Sequence, residues 1–344
     1  ISVPLSYFAG IGGASRRGIL IKGANFLETL TAVDTVVFDK TGTLTEGSFR
    51  VVEVTGTNGF SQGDVLRMAA RAGAHSTHPV SASIRRAYTA GGPMRVLDLA
   101  AVAECDEIGG CGVRAMLDGV SVIAGNDRML HREGIPHDIC ETDGTVVHVA
   151  SGGALAGRIR VADTVKPGAA ETVRRLRSAG VRRLVMLTGD DAHVAEQVAA
   201  EVGIPEFHAN LLPEDKVAAV EAVMAEPGRP SGSKVAFVGD GINDAPVLTR
   251  ADVGIAMGAL GSDAAIEAAD VVIMDDNPGK IADALSVARR TRQIVVQNIV
   301  FALGVKGIVM ALGAVGLASM WGAVFADVGV ALIAVVNATR AFRG

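Results

Sequence analysis

The run Asp39-Lys40-Thr41-Gly42-Thr43-Leu44-Thr45 directly follows an apolar stretch, Val33 to Phe38, that reads as a buried strand. A carboxylate at the end of such a strand can be a nucleophile. About two hundred residues later the pattern returns, because the strand-like run Lys234 to Val238 leads into Gly239-Asp240-Gly241-Ile242-Asn243-Asp244-Ala245-Pro246. Two acidic strand ends can share one magnesium ion, which constrains where both strands lie.

Further strand-like runs, Leu184 to Leu187, Val253 to Met257 and Val271 to Met274, alternate with helical patterns such as Ala192 to Val202 and Glu214 to Met224. The alternation predicts an α/β fold with a doubly wound parallel sheet and helices on both faces. Ligands of such sheets bind at the carboxyl ends of the strands, where Asp39, Thr188, Asp190, Asp240 and Asp244 fall. From about Gly47 to Gly157 the pattern changes to short strands (Val51 to Thr55, Val146 to Ala150) around helices (Asp64 to Ala72, Val80 to Thr89), which predicts an inserted α+β domain.

The chain has 344 residues, 49% of them apolar, and a mean hydropathy of +0.36, high for a protein that meets only water. The excess sits at the two ends. Ile1 to Gly13 is nearly free of charge, and Ile294 to Val336 is apolar apart from Lys306 and Asp327. The first stretch, about 13 residues, is shorter than the roughly 20 needed to cross a bilayer and reads as a truncated transmembrane helix. A signal peptide is the alternative, but no basic region precedes the stretch and no cleavage site precedes Ser15-Arg16-Arg17. The second stretch breaks at Leu317 to Met320 into spans over 293–316 and 321–340, a transmembrane hairpin. Arg289, Arg290 and Arg292 precede it and Arg340 and Arg343 end it, so the positive-inside rule places both outer ends in the cytoplasm. A net charge of −5 and a pI near 5.8 argue against nucleic acid as a partner. Cys105, Cys111 and Cys140 have neither zinc-site spacing nor an even count and read as reduced thiols.

Together these segments resemble the P-type ATPases, ion pumps of the haloacid dehalogenase-like fold, along nearly the whole chain. The resemblance implies that Asp39 is the aspartate that becomes phosphorylated and that Asp39, Thr41 and Asp240 hold Mg2+. It also implies that Thr188 of Thr188-Gly189-Asp190 and Lys216 of Pro213-Glu214-Asp215-Lys216 contact the phosphoryl oxygens, with Asn243 and Asp244 completing the catalytic set. Phosphoryl transfer to a carboxylate requires in-line positioning, a metal to neutralise charge and donors around the equatorial oxygens. Soluble phosphatases of this fold usually carry a second Asp two places after the nucleophile, as acid and base for rapid hydrolysis. Here that place is Thr41, which suits a pump that changes conformation before its aspartyl phosphate is hydrolysed.

In the inserted domain, Ser76-Thr77-His78-Pro79 resembles the His-Pro motif by which heavy-metal P-type ATPases recognise ATP, and Gly110-Cys111-Gly112 and Gly125-Asn126 match their glycine positions. The implied ATP-binding set is His78, Gly110, Gly112, Gly125 and Asn126, together with Asp190. Glycines let adenine and phosphates approach the backbone. One departure is Gly73, which stands five residues before His78, where these pumps usually carry a Glu. The expected organisation is a partial transmembrane helix with its extension over 1–23, a phosphorylation domain over 24–46 and 158–291, a nucleotide-binding domain over 47–157 and the hairpin over 292–344.

Lys306 and Asp327 each lie about 13 residues, or roughly 20 Å, from the cytoplasmic ends of their spans, a depth at which they can pair. A salt bridge tying the hairpin together is one reading; a cation site in which Asp327 supplies a hard oxygen and Lys306 pairs with it once the metal has left is the other. Lys306 and the Asp327-x-Gly329 pair resemble the zinc, cadmium and lead branch of these pumps, whose Cys-Pro-Cys motif would fall just before Ile1. The expected function is therefore ATP-driven export of Zn2+, Cd2+ or Pb2+ across a bacterial plasma membrane, in contact with lipid and with the upstream actuator domain and helices of the same pump. A membrane-tethered phosphatase or phosphotransferase acting on a soluble substrate is the alternative.

Overall fold

The computed structural model describes residues 2–91, 102–137, 145–240, 244–258 and 263–343; Asn243, with Gly241, Ile242 and Cys140, lies outside the described residues. The chain divides into two compact units, one of Ile1–Leu44, Lys166–Asp190 and Ala195–Gly344, the other of Thr45–Val165 with Asp191–Val194.

The first unit holds a seven-stranded sheet of β1 (Ile19–Ile21), β2 (Val33–Asp39), β9 (Arg183–Leu187), β10 (Glu206–His208), β11 (Lys234–Gly239), β12 (Val253–Ala256) and β13 (Val271–Ile273) in the order β1-β13-β12-β11-β2-β9-β10. Every neighbouring pair is parallel except β1 with β13. Parallel pairs require crossovers. These are made by α7 (Ala192–Val202), α8 (Pro213–Ala225), α9 (Ala245–Arg250) and α10 (Asp263–Ala268), while α2 (Ala24–Thr31) leads into β2 and α6 (Ala169–Ser178) into β9. On one face Val37, Val185, Leu187, Val235 and Phe237 pack with Val220 and Val223 of α8 and with Val247 and Leu248 of α9. The alternate residues Val36, Phe38, Leu184, Met186, Ala236 and Val238 point the other way and are just as buried. Burial on both faces is why these strands read as unbroken apolar runs. Register completes the placement: Asp39 stands opposite Leu187, and Phe38 opposite Val238. Thr188 and Asp240 therefore emerge at the same carboxyl edge as Asp39.

The second unit holds a six-stranded antiparallel sheet of β3 (Thr45–Gly56), β4 (Val102–Ile108), β5 (Gly112–Leu117), β6 (Val120–Gly125), β7 (Thr145–Ser151) and β8 (Ala154–Val165), in the order β3-β8-β7-β6-β5-β4. The helices α3 (Gln62–Ala72) and α4 (Pro79–Ala90) bury Val65, Leu66, Ala69, Val80 and Ile84 with the inward residues of the sheet. A capping box between Ser61 and Asp64 starts α3. The short α5 (Asp127–Arg132) follows β6. Strands β3 and β8 pair from Thr45 with Val165 to Gly56 with Gly157, so the sheet runs beyond the 47–157 expected from pattern alone.

In the first unit the apolar ends form α1 (Ser2–Arg16), α11 (Gly279–Ala314) and α12 (Met320–Ala338). Helix α11 is one continuous element of 36 residues that begins well before 292. At 1.5 Å per residue it is about 54 Å long, more than the roughly 30 Å of a hydrocarbon core, so only its second half need span. Both α11 and the helical stretch from Met320 to Phe342 are long and apolar enough to cross a membrane. Beyond Asn298 the large apolar side chains Val300, Leu303, Ile308 and Met310 are exposed, as lipid-facing or helix-facing residues are. Asn298 itself is buried, donating to the Ala334 carbonyl at 3.1 Å and accepting from Asn337 Nδ2 at 2.9 Å.

Candidate active site

Asp39 ends β2 and is 5% exposed. Its Oδ1 accepts from Lys216 Nζ at 2.6 Å, and the same ammonium donates to Asp244 Oδ1 at 3.0 Å. Lys216 comes from the first turn of α8, and Asp244 caps α9. A Cβ at Gly239 would lie 2.7 Å from Asp244 Oδ2, so only glycine lets that carboxylate lie against the end of β11. Burial, then the charge of Asp244, pushes the Asp39 carboxyl up to about 7; Lys216 opposes the rise and Asp240 adds to it. Burial also works against the charge on Lys216, but Asp39 and Asp244 outweigh it and hold the amine protonated above its ordinary range. Two carboxylates thus share one ammonium, and a third, Asp240, acts on Asp39. That oxygen-only donor set, with surplus negative charge, fits Mg2+.

The turn from Lys40 to Leu44 carries Gly42 at φ +72, where a Cβ would lie 2.5 Å from Asp240 Oδ2. Glycine is needed here twice, for the left-handed backbone and for the approach of Asp240. Two buried amines hold the surroundings: Lys40 pairs with Asp190 at 2.6 Å, and Lys166 pairs with Asp276 at 2.5 Å while donating to the Gly42 carbonyl. Thr188 is buried one position beyond Leu187, and its Oγ1 accepts from the Asp190 amide at 3.1 Å. The Thr43 hydroxyl is fully buried with no hydrogen-bond partner among the described residues. Lys40, Thr43, Lys166 and Asp276 were not singled out from sequence. The first two stand inside the motif itself, whereas Lys166 and Asp276 are 110 residues apart and carry no local signal.

In the second unit a cavity of about 330 Å³ is lined by His78, Glu107, Gly110, Gly112, Gly125 and Asn126 among others, within the size range of small-molecule sites. All five residues assigned there from motifs meet at it. His78 Nδ1 accepts from the Val80 amide at 3.3 Å and so caps α4. Asn126 donates to the Gly110 carbonyl at 2.8 Å and accepts from the Met129 amide at 3.2 Å. The reason for two glycines differs from the expected one. A Cβ at Gly112 would lie 2.4 Å from Gly125 Cα, and one at Gly125 2.5 Å from the Cys111 carbonyl, so the approach of β5 to β6 already demands them. Gly110 stands at φ +71, in the left-handed region that favours glycine, with open space around its Cβ position. Asp190 is not among the cavity residues and instead pairs with Lys40. Gly73 ends α3, and its carbonyl accepts from Arg85. The acid at the cavity wall is Glu107, whose Oε1 accepts from Ser76 Oγ at 3.2 Å.

Between the two long apolar helices, Lys306 Nζ meets Asp327 Oδ1 at 3.0 Å. The pairing that equal depth allowed is present.

Residues 33–252 match the haloacid dehalogenase-like hydrolase family. A zinc-transporting ATPase of Synechocystis is 58% identical over 340 residues, covering 99% of this chain and 46% of that protein. A cadmium, zinc and cobalt-transporting ATPase of Bacillus subtilis is 51% identical over 343 residues, covering 100% of this chain and 48% of that protein. The crystal structure of a zinc-transporting PIB-type ATPase in its E2.Pi state superposes with a TM-score of 0.88 at 36% identity, covering 100% of this chain and 55% of that one. The chain spans about half the length of the relatives it matches. It therefore belongs to the haloacid dehalogenase-like family and, within it, stands with the heavy-metal P-type ATPases that it matches from end to end.

Proposed function

We propose that this chain is the catalytic and C-terminal membrane portion of an ATP-driven exporter of divalent heavy-metal cations, Zn2+, Cd2+ or Pb2+, that works through an aspartyl phosphate at Asp39. The observation that carries this reading is the buried Asp39 carboxylate at the end of a central parallel strand, bridged by Lys216 to Asp244. Burial limits the access of water to Asp39, and Thr41 offers no acid or base two places on, so an acyl phosphate there outlives one on a soluble phosphatase. Lys216 and Thr188 are the donors for the phosphoryl oxygens, and Asn243 belongs to the same motif as Asp244. Asp39, Thr41 and Asp240 would hold Mg2+, which supplies charge neutralisation at the transferring phosphoryl group. His78, Gly110, Gly112, Gly125 and Asn126 bind ATP in the second unit, with Asp190 and Lys40 ordering the first around Thr188.

In the membrane, Asp327 is the ligand for the exported cation and Lys306 its internal counterion; the 3.0 Å contact is the arrangement expected when no metal is held. The protein resides in a bacterial plasma membrane, with the second unit and the parallel sheet of the first in the cytoplasm. The test is ATPase activity of the full-length pump, reconstituted in lipid, against zinc, cadmium, lead, cobalt and reduced copper, with Asp39→Asn as the blank. Stimulation by zinc, cadmium or lead that vanishes in the blank supports the reading. Activity indifferent to every metal refutes it and returns Lys306 and Asp327 to a structural salt bridge.

A further inference from the structure

Outside the phosphorylation site and the membrane, three metal-ligating side chains converge on α5. Asp127 and His131 are one helical turn apart, and His137 returns to them from the segment that follows. His137 Nε2 lies 2.6 Å from Asp127 Oδ1, and His131 Nε2 lies 3.1 Å from Asp127 Oδ2. One nitrogen or oxygen from each residue lies within 4.8 Å of the others. Bonds of 2.0–2.1 Å to a tetrahedral ion place neighbouring ligand atoms about 3.3 Å apart, so small side-chain rotations close this triangle around one ion.

The tautomer of His137 points the same way. Its Nδ1 lies 2.8 Å from the Ile135 carbonyl, which can only accept, so Nδ1 carries the proton. In a neutral ring Nε2 then presents a lone pair to the Asp127 carboxylate. Two electron-rich atoms at 2.6 Å need a positive centre, either a second proton on His137 or a metal ion between them. A backbone carbonyl on Nδ1 is how metal-binding histidines are commonly oriented. The His137 side chain is 4% exposed and fixed, whereas His131 and Asp127 are 65% and 52% exposed, which leaves a coordination position for water. Two imidazoles and one carboxylate select zinc-class transition metals over Mg2+ or Ca2+, which take oxygen donors.

We propose that Asp127, His131 and His137 form a binding site for a divalent transition-metal ion of the zinc class, completed by water. Asp127 directly follows Asn126, which caps α5 and lines the cavity of the second unit, while none of the three ligand residues is itself among the lining residues. The site does not depend on the transport reading, since none of its ligands belongs to the phosphorylation or membrane sites.

The experiment is calorimetric titration of the chelator-stripped chain in detergent with Zn2+ alone, comparing the native protein with His131→Gln and His137→Gln. The expected result is a zinc-binding phase that each substitution weakens at least about tenfold and that Asp327→Ala leaves in place. X-ray absorption at the zinc edge of the loaded native chain is the second measurement, with scattering from two imidazoles expected, and it serves even if the variants do not fold. An isotherm unchanged by both substitutions, or zinc without imidazole ligands, overturns the proposal.

Discussion

Substituting Asp39 by Asn should make the metal-free protein more stable at alkaline pH, by an amount the site's electrostatics set. Asp39 ionises at about 7 in the fold against an ordinary 3.8, chiefly because burial and the neighbouring Asp244 disfavour its charge. Below about pH 4 the carboxyl is protonated in both folded and unfolded chains and there is no penalty. As pH rises toward 7 only the unfolded chain ionises, and stability falls. Above 7 both forms are ionised and the full cost, about 4 kcal/mol, is present. Asn is isosteric and uncharged, and Lys216 keeps Asp244 as its partner. The assay is thermal unfolding of both proteins in detergent with chelator and no nucleotide, followed by circular dichroism from pH 5 to 8.5. The Asp39→Asn protein should melt only about 2 °C higher than the native one near pH 5, where about 1.6 kcal/mol of the cost is present, and on the order of 5–10 °C higher at pH 8.5. Melting curves that stay parallel across the series, or a native protein that is the more stable at pH 8.5, would refute the account of Asp39 as a charge buried at a cost. Saturating Mg2+ should narrow the gap, since a cation beside the carboxylates offsets the same cost.

Gly42→Ala forces a side chain into the left-handed region and against Asp240, so stability should drop by about 1–2 kcal/mol and phosphorylation from ATP should fall; full phosphoenzyme yield in that variant would count against the proposed place of Asp240. Asn298→Leu strands the Asn337 amide and the Ala334 carbonyl inside the helical bundle and should cost about 1–3 kcal/mol, read as a lower melting temperature in detergent. Glu107→Gln should weaken ATP binding by roughly two- to tenfold in a titration, because Glu107 brings an acid to a cavity where Gly73 offers none; an unchanged affinity would leave Glu107 as a partner of Ser76 alone. Asp327→Ala should abolish metal-stimulated turnover of the complete pump while ATP binding persists, and full stimulation would reject Asp327 as a ligand.

The strands of the parallel sheet were legible because each is buried on both faces and reads as an apolar run, and β2, β9, β11, β12 and β13 appear within a residue or two of where the pattern placed them. Strands β4, β5, β6 and β8 were not singled out, since one of their faces meets polar surroundings, where residues such as Glu104, Arg114 and Arg158 keep the sequence from reading as an apolar run. The short edge strand β1 has three residues, too few for any period to show. The grouping of His78, Gly110, Gly112, Gly125 and Asn126 was implied by the resemblance of three motifs and their order, and all five line one cavity, whereas Glu107 had no motif to mark it.

By itself the sequence determined the chemistry on offer: a carboxylate after a buried strand, a second acidic strand end, a lysine at the start of a helix, and two apolar spans carrying one charge each. These are local properties, set by residue type, period and turn chemistry within a few positions. Tertiary structure alone decided which of them act on one another. The pairing of Lys216 with both Asp39 and Asp244, the tether from Lys166 to Asp276 and Gly42, and the meeting of Asp127 with His137 all join groups whose attraction depends on inverse distance and local burial. Neither quantity is written in the spacing of residues along a chain, and so the elevated pKa of Asp39 belongs to the fold and not to its motif.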